Sequence, residues 1–242
     1  MAHGTQDYGI GAPGSTIYIV QDLAELAARI GSVDTFDRRG NIIWMTNFED
    51  GIHGWIKEAN RPLSTLSWSA ESARNGSFCM KVTMELPKIS WVKASYRLPL
   101  LVFSRAGVEF GFDCHFGMTI FIIRHRLYDG TRIHEAGVEW NALGGTMWYW
   151  GTDECWHELE PAYPLKREAH LYHIAKLVID PATGRYVRFI LDNAFWDMKD
   201  LSYFRDTDPS RPCIIPSIEF TAEIGEAVVS YVNHAIITQN EP

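Results

Sequence analysis

Glu109 and Asp113 share one face of the alternating run Gly107-Val-Glu-Phe-Gly-Phe-Asp-Cys-His-Phe116, whose other face carries Val108, Phe110, Phe112, Cys114 and Phe116. Paired carboxylates are the equipment of glycoside hydrolysis, which sets them ~5.5 Å apart in retaining enzymes and ~6.5–9.5 Å apart in inverting ones. Four residues along a strand span roughly 13 Å. Either carboxylate would therefore need a partner from another strand, and Glu139 in Gly137-Val-Glu-Trp-Asn141 is the candidate. Without such a partner, the face is expected to be an ordinary solvated one.

A second group is aromatic. Of nine tryptophans, Trp140, Trp148, Trp150 and Trp156 crowd together with Tyr149. Indole rings stack on flat apolar surfaces such as the faces of sugars, while neighbouring polar side chains hold hydroxyls. On a strand Trp148 and Trp150 share a face and Tyr149 takes the other. Trp140, Trp148 and Trp150, with Arg124 and His125 at the rim, form the candidate ligand surface; the alternative is that one of these faces fills the core. Cys155-Trp-His157 and His170-Leu-Tyr-His173 come nearest to metal-ligand spacing, but only the first pair shares a strand face, and neither has a companion pair.

The elements that must position these groups are strands. His170 to Asp180 alternates, Pro181-Ala-Thr-Gly184 turns, and Arg185 to Asn193 returns, which spells an antiparallel hairpin. Further strands are expected near residues 41–45, 65–70, 78–84, 90–98, 107–116, 119–126, 134–141, 146–150, 217–224 and 227–237. A dozen short strands with few helices define an all-β, antiparallel jelly-roll β-sandwich. We read it as residues 41–242, preceded by an arm over 1–40. That arm holds one short helix, opened by the capping box Asp22-Leu-Ala-Glu25 and closed by Gly31. At about two turns the helix must dock its apolar stripe to persist, so residues 1–31 are expected to mediate self-association or contact with an assembly partner. Gly9-Ile-Gly-Ala-Pro-Gly14 matches a dinucleotide fingerprint but follows no strand and opens no helix, and reads as part of the arm.

The net charge of −8 and the lack of any basic run longer than Arg38-Arg39 argue against nucleic-acid binding. No window approaches a membrane span, and the N-terminus carries no signal-peptide pattern. That suggests cytoplasmic synthesis, with a virion or particle as the destination if the arm assembles copies. The four cysteines, Cys79, Cys114, Cys155 and Cys213, are widely spaced and read as reduced, buried thiols. No cofactor is called for by the residues themselves.

Phe48-Glu-Asp-Gly51, Trp55 and the stretch from Ser69 through Met80-Lys-Val-Thr-Met84 resemble the opening of jelly-roll carbohydrate-binding modules. The 170–193 hairpin is similar to paired strands of concanavalin A-like and laminin G-like domains, and Ala227 to Ile237 to their closing strand. The resemblance implies a structural calcium near Glu49 and Asn233, weakened because Asn233 stands where a carboxylate is usual. The head of the chain, with Asp37-Arg-Arg-Gly40, resembles uncharacterised phage-associated proteins. Three functions therefore stand open. The first is a non-catalytic structural or attachment protein of a homo-oligomeric, phage-like assembly, displaying a glycan-binding surface or none. The second is a carbohydrate-binding module. The third is a carbohydrate-active hydrolase or lyase using Glu109, Asp113 and Glu139.

Overall fold

In the computed structural model, residues 39–74, 76–85, 89–223 and 228–242 are described; the arm, its helix and the Gly9–Gly14 motif lie outside them. Seventeen strands, numbered in chain order, form two antiparallel sheets, and no helix occurs among the described residues. The first sheet runs β14 (Ala194–Asp197), β13 (Arg185–Leu191), β12 (Tyr172–Asp180), β7 (Ala106–Asp113), β17 (Val228–Gln239), β4 (Cys79–Met84), β3 (Thr65–Ser69). β1 (Asn41–Thr46) pairs with the far end of β17, beyond the stretch that pairs β4. The second sheet runs β11 (Trp156–Glu160), β10 (Thr146–Trp150), β9 (Arg132–Asn141), β8 (Met118–Tyr128), β16 (Cys213–Ala222), β5 (Ser90–Ser95), β2 (Ile56–Ala59). β15 (Phe204–Thr207) pairs with β9, and β6 (Leu98–Pro99) with β16.

The core lies between the sheets. Val108, Phe110 and Phe112 of β7, Ala175, Leu177 and Ile179 of β12, and Val232, Ala235 and Ile237 of β17 point in from the first sheet. Phe121 and Ile123 of β8, Val138 and Trp140 of β9, and Ile218 and Phe220 of β16 meet them from the second. The period-two alternation that predicts these strands is thus the packing itself.

The outer face of the first sheet departs from expectation. Instead of being solvated, Glu109, Lys176, Arg188, His234 and Glu241 are each at most 4% exposed. The physical reason is mutual neutralisation. Lys176 stands opposite Glu109 in register. The Glu241 carboxylate lies 2.8 Å from Lys176 Nζ and binds Arg188 with its other oxygen. His234 Nε2 lies 3.5 Å from Glu109. Asp113, also buried, accepts the backbone N–H groups of Tyr231 and His170. Of the four thiols, Cys155 is exposed rather than buried, because it sits in the tight β10–β11 connection; the other three are buried.

Candidate functional site

The outer face of the second sheet gathers what the sequence scattered. The strand registers align one side chain per strand in a row: Glu58, Lys93, Glu219, Ile122, Glu139, Trp148, Glu158. Beside it runs Ser95, Ser217, Arg124 and Gly137. A third row holds Arg126 opposite Glu135. All point away from the core because their chain neighbours, such as Phe121, Ile123, Val138, Ile218 and Phe220, point into it.

Arg124 organises the aromatic end. Its guanidinium lies 5.0 Å from the Trp150 ring centroid and 5.2 Å from that of Trp156, and those two rings pack edge to face at 5.1 Å. Gly137 lies under both groups: a Cβ there would touch Arg124 Cγ and the Trp156 ring at 3.4 Å, van der Waals contact that leaves no room for a longer side chain. Glu135 Oε1 fixes the basic pair, accepting from Arg124 and Arg126 at 2.9 Å each. Lys93 is likewise held by Glu58 at 2.9 Å. The shared Glu135 contact sets the orientation of Arg124 and Arg126, which stay partly open, whereas Lys93 is buried.

Glu139 and Glu219 are partly buried, unlike the exposed Glu158 of the same row. Among the described residues neither has a hydrogen-bonding or ion-pairing partner. Burial pushes the Glu139 carboxyl above its ordinary range, opposed by Arg124 and reinforced by Glu219. Burial also pushes Glu219 up, opposed by Arg124 and Lys93.

Of the residues singled out from sequence, the structure brings Trp148, Trp150, Arg124 and Glu139 together on this face. Trp140 does not join them: at 2% exposure it stacks on Phe121 in the core and donates its indole N–H to the Tyr163 carbonyl. His125 also faces the core, one residue out of phase with Arg124, and burial pushes it down to about 3. Glu109 and Asp113 belong to the first sheet, so neither pairs with Glu139. Glu219, Lys93 and Glu135 are the additions. The alternation of Ile218 and Phe220 turns Glu219 outward, but only the pairing of β16 with β8 puts it near Glu139.

The other candidate ligands take part in local hydrogen bonds. Glu49 Oε1 accepts the Ser77 and Phe78 amides at 2.6 and 3.0 Å, and Asn233 Oδ1 accepts that of Arg74 at 2.8 Å. Both residues thus staple the segment leading into β4. His157 bonds Asp153 at 2.8 Å, His170 bonds Ser72 at 2.8 Å, and His173 bonds Asp192 at 2.5 Å. No three His, Cys, Asp or Glu side chains gather as a metal cage among the described residues.

No protein-family model matches the chain. No curated protein matches it either. Solved structures do. An endo-β-1,4-glucuronan lyase from the fungus Trichoderma reesei aligns with a TM-score of 0.59 at 9% identity, covering 83% of this chain and 96% of the lyase. A cellulose induced protein, Cip1, gives 0.53 at 13% identity, covering 81% and 96%. The Emp46p carbohydrate recognition domain in its potassium-bound form gives 0.50 at 10% identity, covering 80% and 92%. The chain shares their sandwich fold.

Proposed function

We propose that this protein is a glycan-binding β-sandwich that receives its ligand on the outer face of the second sheet. One observation carries the reading: Trp148, Trp150 and Trp156 stand half-buried on one face, beside Arg124, Lys93 and two carboxylates without partners. Rings of this kind offer stacking surface to sugar faces, and the polar groups set across neighbouring strands supply directional hydrogen bonds to hydroxyls. The registers keep these groups within a few strand spacings of about 4.8 Å, the scale of a short oligosaccharide. The fold is one that carbohydrate-directed proteins use, which agrees with the reading without carrying it.

Affinity electrophoresis of the full chain through gels containing single polysaccharides tests the proposal. Retardation by at least one glycan is expected, with the affinity falling about tenfold or more in Trp148→Ala, since a lost stacking contact is worth about 1–2 kcal/mol. Migration unaffected by any glycan in a broad panel overturns it. The expectation of an assembly role rests on residues 1–31, outside the described residues; light scattering of the full chain beside a variant lacking them is its test.

A further inference from the structure

We propose that Glu139 and Glu219 are the acid and base of a glycoside-hydrolysing centre, acting on a glycan that lies over Ile122 between them. The inference rests on the glycan-binding reading and adds a reaction to it. The two carboxylates occupy the same cross-strand row, separated only by Ile122 of β8. Two strand spacings place their Cα atoms roughly 10 Å apart, a separation from which two glutamate side chains can reach the ~6.5–9.5 Å that leaves room for a water beside a sugar ring. Ile122, 7% exposed, is an apolar floor between them, and Trp148 stands next to Glu139 in register, where it can carry the adjoining sugar.

The second observation is that both groups lack partners. Elsewhere on this face Glu58 is matched with Lys93, and Glu135 with Arg124 and Arg126, while Glu158, which has no such partner, is exposed to water. A half-buried carboxylate left without a hydrogen bond is costly, and a ligand that supplies the bond accounts for its retention. The charged surroundings separate the roles. Glu219 has Lys93 directly opposite it and is drawn toward its ionised form by Lys93, Arg124 and, more weakly, Arg126, with Glu58 opposing. Glu139 is drawn that way by Arg124 alone and opposed by the charge of Glu219; the exposed Glu158 lies one strand beyond Trp148. With the Lys93 cation directly opposite Glu219 and the Trp148 ring in the corresponding place beside Glu139, Glu139 is assigned as the proton donor and Glu219 as the base.

In the step itself, Glu219 takes one proton from a water whose oxygen bonds to the anomeric carbon. The bond from that carbon to the bridging oxygen breaks, and Glu139 gives its proton to the departing hydroxyl. Water is the sole co-reactant, the configuration inverts, and exchange with solvent resets both carboxyls.

The full chain is incubated with barley β-glucan, xylan, mannan, galactan and a polyglucuronate, and reducing ends, anomeric configuration by proton NMR and ultraviolet absorbance of unsaturated sugars are followed. Binding is measured in parallel by affinity electrophoresis. The expected result is cleavage with inversion of one retained glycan, reduced about 100-fold or more in both Glu139→Gln and Glu219→Gln while both variants still bind it. The high-pH limb of the rate profile should be lost in Glu139→Gln, which has no proton to give up. Binding without cleavage overturns the reaction and leaves the binding face standing. Retention of configuration, an unsaturated product, or undiminished turnover in either Gln variant also overturns it. Neither binding nor cleavage removes both readings together.

Discussion

At the residue scale, the clearest consequence concerns Gly137. It faces outward from β9 between Arg124 and the Trp150–Trp156 pair, where a Cβ would already be in van der Waals contact with both and the branches of a larger side chain would crowd the guanidinium against the rings. Gly137→Val is therefore expected to weaken glycan binding about tenfold, while stability changes by less than about 1 kcal/mol because valine suits an outward strand position; isothermal titration beside a urea melt separates the two effects. Asp113 makes a different prediction. Burial holds its carboxyl at about 6, against an ordinary 3.8, despite the N–H groups of Tyr231 and His170. A raised folded value means the folded state holds the proton more tightly, so this contribution to stability is complete below pH 4 and is lost as pH rises through 6. Urea midpoints of the wild type should fall across that window, and those of Asp113→Asn should fall less. The same alternation made Arg124, Glu139, Trp148 and Trp150 legible as outward groups once their strands were recognised. It could not rescue His125 and Trp140, which sit one residue out of phase with the face they were assigned to.

At the element scale, local signals and pairing separate cleanly. The β12–β13 hairpin was readable because its turn is local: the Asp180 carboxylate accepts the Ala182 and Thr183 amides, and Gly184 takes φ = +73°. β2, β11, β14 and β15 were not. They are four or five residues long, lie at or near sheet edges and bury little, so they carry no strong period. The site was half legible for the same reason. Ile218 and Phe220 mark Glu219 as outward, whereas its place two strands from Glu139 depends on β16 pairing β8 across almost a hundred residues of chain, which no local pattern encodes. The segment entering β4 carries its own prediction. Glu49 and Asn233 hold its amides directly, so Glu49→Ala should lower stability by about 1–2 kcal/mol through the lost charge-assisted bonds. Added calcium or a chelator should leave the wild-type Tm within a degree, as differential scanning fluorimetry will show.

At the scale of the whole molecule, the two outer faces serve opposite ends. The first sheet buries its charges in a network around Glu241, and the second leaves cations and carboxylates partly open beside tryptophan rings. Removing the carboxylate in Glu241→Ala strips Lys176 and Arg188 of a shared buried anion, and a loss of about 3–5 kcal/mol is expected in chemical denaturation. Glycan binding by the surviving folded fraction should be unchanged, because the network lies on the other sheet. The antiparallel registration of β1 with β17 bears on how the molecule carries load. Asn41 and Gln239 are directly opposite, so a tension applied at these two residues pulls on adjacent ends of one ladder. The hydrogen bonds then open in sequence, like a zipper, rather than sharing the force in parallel. A sandwich tethered through these residues would yield gradually from that seam while its second sheet, joined through other strands, keeps its registers.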